Sequence, residues 1–134
     1  MTRPRASTGS KQTALTVVVL MLPPTVNHMY RPDGRGGKIL TDQAQDFRRL
    51  AGYEARITAN LTRWRVPDGS LKLTLLLTFG DRRKTDIDNR IKPALDALAL
   101  ALDFDDSRVD RIEVVRVGVD PRRPLCEMIL EGLA

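Results

Sequence analysis

The pattern of apolar and polar residues along the chain predicts four strands. Residues 15–22 are apolar on both faces, which is typical of a central strand, and a double proline ends the segment. In residues 71–79 apolar and polar residues mostly alternate, as in a half-buried strand. Residues 112–119 and 125–131 lie on either side of a short proline-containing turn, so they are predicted to be strands joined as a hairpin.

Two amphipathic helices are predicted between these strands. The first begins at Asp42, with Gln45 three residues later as its capping partner. The second begins at about residues 88–90, because Pro93 is tolerated only in the first helical turn. The predicted buried stripes are Phe47, Leu50, Ile57, Leu61 and Trp64 in the first helix and Ile91, Leu95, Leu98 and Leu102 in the second.

The order β-α-β-α-β-β predicts an α+β fold, in which two helices pack on one mixed sheet of about four strands. Residues 13–134 are expected to form this single domain. Residues 1–12 contain three cations and no acid, and we expect them to form a flexible basic arm that can touch a phosphate backbone. The segment 23–40 is interpreted as a mobile basic loop.

Composition removes several classes of chemistry. A single cysteine, Cys126, and a single histidine, His28, exclude a Cys/His zinc site and argue against a Ser-His-Asp triad. The cysteine pattern also favours a reduced thiol and a cytoplasmic protein, and no apolar segment is long enough to cross a membrane. The net charge of +5 and an excess of arginine over lysine suit a polyanionic partner. Any catalytic site in this chain must therefore be built mainly from carboxylates.

Carboxylates are concentrated in one segment, because eight of the thirteen aspartates lie between residues 81 and 110. Asp86 and Asp88 are two residues apart in an extended or turning segment, so both can face one cation. The cations of residues 82–84 immediately precede them. This combination suits phosphodiester hydrolysis, in which a carboxylate-bound Mg²⁺ retains water and nearby cations stabilise the phosphate.

A second acidic group, Asp103, Asp105 and Asp106, falls where the second helix should end. Negative charge there opposes the helix dipole, and a bound cation would offset that cost. Spacing alone leaves open whether Asp106 reaches Asp86 and Asp88. Each aspartate also has a purely structural interpretation, as a helix cap, a turn residue or a surface residue.

An ordered set of motifs resembles the RusA family of Holliday-junction resolvases, found in phages and prophages. The set comprises Leu-Pro-Pro-Thr-Val-Asn at residues 22–27 with Tyr30, then Asp86-x-Asp88-Asn89-x-x-Lys92, then Asp105-Asp106-x-x-Val109 before a strand. The resemblance implies that Asp86, Asp88 and Asp106 are the metal-binding catalytic carboxylates and that Lys92 assists at the phosphate. It further implies a Mg²⁺ cofactor, with Mn²⁺ as an expected substitute and no small-molecule cofactor, and a homodimer that nicks a four-way junction symmetrically. Asp106 would then reach the other two aspartates either within one chain, by a loop that folds back, or across the dimer.

The residues expected to contact DNA are Asn27, Tyr30, Arg31, Lys38, Arg82, Arg83, Lys84 and Arg90. One departure concerns the position before the first aspartate, where the family commonly has a basic residue. Here that position is Thr85, with Lys84 one place earlier. The connection 101–104 also looks slightly shorter than in the family's best-known member.

Three other functions fit parts of the sequence. A nuclease of the same fold acting on flaps or replication forks would have the same metal site. A non-enzymatic nucleic-acid-binding module would leave the acidic cluster unexplained, and aromatic residues for base stacking are few. A small-molecule phosphohydrolase would need a phosphate-cradling motif, which the glycine-rich segment 34–38 does not provide.

Overall fold

The computed structural model describes residues 14–133, so the predicted basic arm at residues 1–12 lies outside the described residues. The chain forms β1 (Ala14–Val19), β2 (Tyr30–Pro32), β3 (Lys38–Leu40), α1 (Asp42–Thr62), β4 (Leu71–Phe79), α2 (Ile91–Leu102), β5 (Val109–Val119) and β6 (Leu125–Gly132). Short 3₁₀ turns at Val26–His28, Asp88–Arg90 and Asp106–Arg108 precede β2, α2 and β5.

Four strands form one mixed sheet in the order β1-β6-β4-β5. Strand β6 is antiparallel to both of its neighbours, whereas β4 and β5 are parallel because α2 carries the chain back between them. The predicted α+β fold, two helices on a four-stranded mixed sheet, is confirmed. Because β4 and β5 are parallel, the sheet has two distinct ends, here termed the amino edge, where these two strands begin, and the carboxyl edge, where they finish.

The core lies between the helices and one face of the sheet. Alternate residues of β4 from Leu71 to Phe79 point into it, and four of these five side chains have no solvent exposure at all. Helix α1 meets the core mainly through alanines, with Phe47 as its large buried anchor, so the helix can approach closely. Leu61, predicted to belong to the buried stripe, is instead 80% exposed.

Two pairing predictions were wrong. Strand β1 is an edge strand rather than a central one: its alternate residues are exposed, and Val18 keeps 45% of its surface. Strands β5 and β6 do not form a hairpin, because β4 lies between them and pairs with both. The sequence alone does not distinguish an apolar residue on the uncovered face of the sheet from one on the buried face.

The helix starts agree closely with the predictions, while the segment 23–40 is more ordered than predicted. Thr41, not Asp42, is the N-cap of α1, and its hydroxyl accepts a hydrogen bond from the backbone N–H of Ala44 at 3.2 Å. Strands β2 and β3 pair as an antiparallel hairpin within the predicted loop. No helix in residues 14–133 has the length and apolar character needed to span a membrane.

Candidate active site

Asp86 lies at the carboxyl edge of the sheet. It follows β4 by seven residues, and the preceding carbonyl, that of Thr85, accepts a hydrogen bond from Nη2 of Arg116 at 2.6 Å. Arg116 is the register partner of Leu77, near the end of β4. Asp86 is exposed and lines an open cleft of about 510 Å³, together with Asp81, Arg82, Lys84 and Arg116.

Asp88 begins the 3₁₀ turn that leads into α2, and Arg90 fastens that turn to the fold. Nη1 of Arg90 donates to the carbonyl of Pro23 at 2.5 Å, and its guanidinium lies 5.2 Å from the centre of the Phe79 ring. Burial lowers the pKa of Arg90, and the nearby charge of Arg116 lowers it further. Arg90, predicted to contact DNA, is thus half-buried and holds Asp88 at the carboxyl edge.

Lys92 is in the first turn of α2, one helical turn beyond Asp88. Its ammonium lies 3.3 Å from Oδ2 of Asp96, and 58% of the side chain is exposed, so the ion pair is a weak, solvent-screened contact. An ammonium held this loosely remains free to meet a phosphate. Asp88 and Lys92 therefore share the end of the molecule where Asp86 lies.

Asp106 lies at the amino edge. Its 3₁₀ turn is capped by Asp105, whose Oδ1 accepts from the N–H of Ser107 at 2.9 Å, and this bond lowers the pKa of Asp105. The turn leads directly to Val109, the register partner of Leu71 at the start of β4. The neighbouring Arg108 donates from Nε to the carbonyl of Gly69 at 3.0 Å and also binds the carbonyl of Pro67.

The three predicted metal ligands are not together in one copy of the chain. The twelve residues of α2 separate Asp88 from the segment that carries Asp106, a span of about 18 Å at about 1.5 Å per residue. Asp106 instead lines an acidic cleft with Asp96, Asp103 and Asp105. Within residues 14–133, no three His, Cys, Asp or Glu side chains are grouped closely enough to hold a metal ion.

The residues predicted to contact DNA are mostly exposed around the carboxyl edge. Tyr30, Arg31 and Lys38 belong to the β2–β3 hairpin, and the Lys38 ammonium lies 5.8 Å from the centre of the Tyr30 ring. Asn27 is in the exposed Val26–His28 turn. Arg82 and Lys84 line the cleft beside Asp86.

Arg83 is already engaged with a carboxylate. Its Nη2 lies 3.0 Å from Oδ2 of Asp81, and this hydrogen bond lowers the pKa of Asp81. Both side chains are largely exposed, so water can replace either partner.

Arg116 was missed by the sequence reasoning. Its guanidinium lies 4.4 Å from the centre of the Phe79 ring and lines the cleft beside Asp86. The available signal was a single arginine in the apolar part of β5, two residues after Val114 and on the same side of the strand. Its position relative to Asp86 depends on the pairing of β5 with β4, which the sequence did not predict.

Comparison with known proteins gives one family. A family model described as "Endodeoxyribonuclease RusA" matches residues 21–123, which include Lys92 and the three predicted metal ligands. No curated protein matches the chain.

Proposed function

Because the chain belongs to the RusA endodeoxyribonuclease family, a family of Holliday-junction-resolving, metal-dependent nucleases, we propose that it cuts four-way junctions by paired nicks with Mg²⁺. Mn²⁺ is the expected substitute. The family match is the observation that carries the proposal. The exposed carboxylates of Asp86 and Asp88 at the carboxyl edge, beside a cleft with three cationic side chains, support it.

The donor set fits a hard divalent cation. Mg²⁺ prefers oxygen ligands and is commonly held by one or two carboxylates, with water in its other positions. Asp86 and Asp88 can supply those carboxylates. When bound, the ion supplies a water of lowered pKa and polarises the phosphate. Lys92 binds a non-bridging phosphate oxygen, and Arg116 adds positive charge to the same cleft.

We assign the third carboxylate, Asp106, to a second copy of the chain. Within one copy Asp106 lies at the opposite end of the sheet from Asp86, whereas Mg²⁺–oxygen bonds measure about 2.1 Å. A two-fold dimer removes the difficulty if the β5 strands of the two copies run antiparallel. The amino edge of each copy then lies beside the carboxyl edge of the other, so two equivalent composite sites form.

The exposed edge of β5 supports this arrangement. Among the described strands, β5 pairs only with β4, which leaves its other edge open. It carries exposed apolar side chains, including Val115 and Val117, the latter 59% exposed. Long apolar edge strands are normally protected, and a second copy of the same strand would protect this one. The homodimer and the composite site thus depend on the same surface.

A nuclease assay tests the proposed function. The protein is incubated with a synthetic four-way junction, a linear duplex and a flap, each with Mg²⁺, Mn²⁺ or EDTA. We expect paired nicks at symmetric positions of the junction with either metal and none with EDTA. Equal cutting of all three substrates would replace junction specificity with a broader preference for branched DNA. Binding without cutting would refute the nuclease function.

A further inference from the structure

A second cleft, here termed the hairpin cleft, opens beside the candidate active site. Its volume is about 410 Å³, within the range of small-molecule sites, and its walls are the Val26–His28 turn, the β2–β3 hairpin and Lys92. Met29, only 2% exposed, is one of its apolar residues, with Val26 and Pro32. The cleft is therefore mainly apolar inside, with the ring of Tyr30 among its lining groups.

Charge defines what the cleft can accept. Arg31, Lys38 and Lys92 line it, and its lining residues, all within the described part of the chain, include no carboxylate. An apolar space beside an aromatic ring and three cations is complementary to a flat base attached to phosphates. A neutral apolar ligand would leave the cations unused, and a simple anion would leave the apolar space empty.

The position of the cleft connects it to the proposed chemistry. Lys92 lines the cleft and is also the proposed phosphate contact. The Val26–His28 turn packs against the Asp88–Arg90 turn, so the cleft and the metal-binding carboxylates are neighbours. A strand whose scissile phosphate lies at Lys92 thus has an adjacent nucleotide within reach of the cleft.

The cleft is preformed. The hydroxyl of Thr41 donates to the carbonyl of His28 at 2.7 Å, and the N–H of Thr41 donates to the carbonyl of Met29 at 3.1 Å. At the hairpin tip, Oδ1 of Asp33 accepts from the N–H groups of Arg35 and Gly37. Little conformational entropy is then lost when a ligand enters.

We propose that the hairpin cleft binds one unstacked base of the cleaved strand, next to the scissile phosphate, with the Tyr30 ring stacked on it. The inference rests on the proposed function, because it requires a cut DNA strand at Lys92. It makes the β2–β3 hairpin the element that reads the nucleotide beside the nick. Extracting a base costs least where strands exchange and stacking is already interrupted, so the cleft also favours branched DNA.

The test is a double-mutant cycle between Tyr30 and the DNA. Junctions carry an abasic nucleotide at one position at a time near the nick, and each is cut by the wild-type protein and by Tyr30→Ala under single-turnover conditions. At one position we expect the abasic change and Tyr30→Ala each to slow cleavage by about tenfold or more, and the two together to be no slower than either alone. Tyr30→Phe should recover most of the rate that Tyr30→Ala loses, because stacking needs only the ring.

The other tyrosine, Tyr53, is 57% exposed on α1, and Tyr53→Ala is the matched control that should cut normally. Binding is followed separately in EDTA by the fluorescence of 2-aminopurine placed at each of these positions in turn, so that this measurement does not depend on cleavage. The wild-type protein should change this signal and Tyr30→Ala should not. The base-binding role would be overturned if the rate losses from the abasic change and from Tyr30→Ala multiplied at every position, or if Tyr30→Ala cut normally. Either result would leave the proposed nuclease function intact. If the wild-type protein cuts no junction, the proposed function fails, and the fluorescence measurement alone decides whether a base enters the cleft.

Discussion

Mixing two inactive variants tests whether the metal site is shared between copies. Asp88→Asn removes a carboxylate at the carboxyl edge, and Asp106→Asn removes one at the amino edge. Each variant alone should lose cleavage by about 10²-fold or more, because every proposed site then lacks one ligand. DNA affinity should stay level or rise, since a negative charge leaves the surface.

The mixture behaves differently if the sites are composite. In a dimer with one copy of each variant, one site combines both defects, and the other combines intact Asp88 with intact Asp106. Random pairing of equal amounts gives mixed dimers in roughly half of the molecules, so roughly a quarter of all sites are intact. Nicking should return to roughly a quarter of the wild-type rate. Paired cutting should not return, because each mixed dimer has a single working site.

The assay uses a labelled junction, with the variants unfolded together and refolded so that copies exchange. A mixture of Asp88→Asn with Asp86→Asn is the matched control, and it should remain inactive because both changes affect the same half of the site. Asp96→Asn removes a carboxylate that pairs with Lys92 and lines the Asp106 cleft but is not a proposed ligand, so it should slow cleavage much less than the loss of a ligand. A mixture of Asp88→Asn and Asp106→Asn that stays as inactive as either variant would refute the shared site. Normal cutting by Asp106→Asn alone would remove Asp106 from the site.

Three further predictions concern the phosphate contact, the dimer and the buried thiol. Lys92→Ala should slow cleavage by about 10²-fold with only a modest loss of junction binding, and Lys92→Arg should restore part of the rate. Single-turnover cleavage measures the rate and gel-shift titration measures the binding. A normal cleavage rate for Lys92→Ala would show that Lys92 is not part of the site. Val117→Asp should shift sedimentation from dimer to monomer, whereas Leu61→Asp, an equally polar change at an exposed helix position, should not; an unchanged dimer in both would place the interface elsewhere. Burial raises the pKa of the Cys126 thiol to about 12, so the folded protein should resist thiol reagents at pH 8 and react only after unfolding. Its free energy of unfolding should fall between about pH 9 and pH 12, because the thiol of the unfolded chain ionises first. Rapid reaction of the folded protein would contradict this burial.

Sequence patterns predicted the elements of this fold better than their pairing. Alternation identified β4 because its two faces differ strongly in burial, and the caps and Pro93 placed both helices to within a few residues. The β2–β3 hairpin was missed because its strands have three residues each, too few for a periodicity. The partners of β5 and β6 were wrong because local spacing carries no information about a strand that inserts between them.

In the candidate site too, the sequence predicted local features better than the contacts between distant segments. Asp86 and Asp88 could be proposed as a pair from the sequence because an extended segment would turn residues two apart to one side. In the structure Ile87 is instead helical and Asp88 begins a 3₁₀ turn, so a shared direction does not follow from the spacing. Where Asp106 lies depends on the β4–α2–β5 crossover, and where Arg116 lies depends on the register of β5, so spacing could place neither relative to Asp86. Arg90 was expected at the DNA surface, yet packing against Phe79 gives it a structural task that no linear motif records.

The clamp that Arg108 forms on the carbonyls of Pro67 and Gly69 has a consequence for how activity depends on protein concentration. It holds the turn that carries Asp106 against the loop before β4, so this carboxylate is presented at fixed geometry before any second copy arrives. If the site is shared as proposed, completing it requires association alone, with no segment left to order. The number of working sites should then follow the dimer population by mass action, so specific activity should fall on dilution below the dimer dissociation constant.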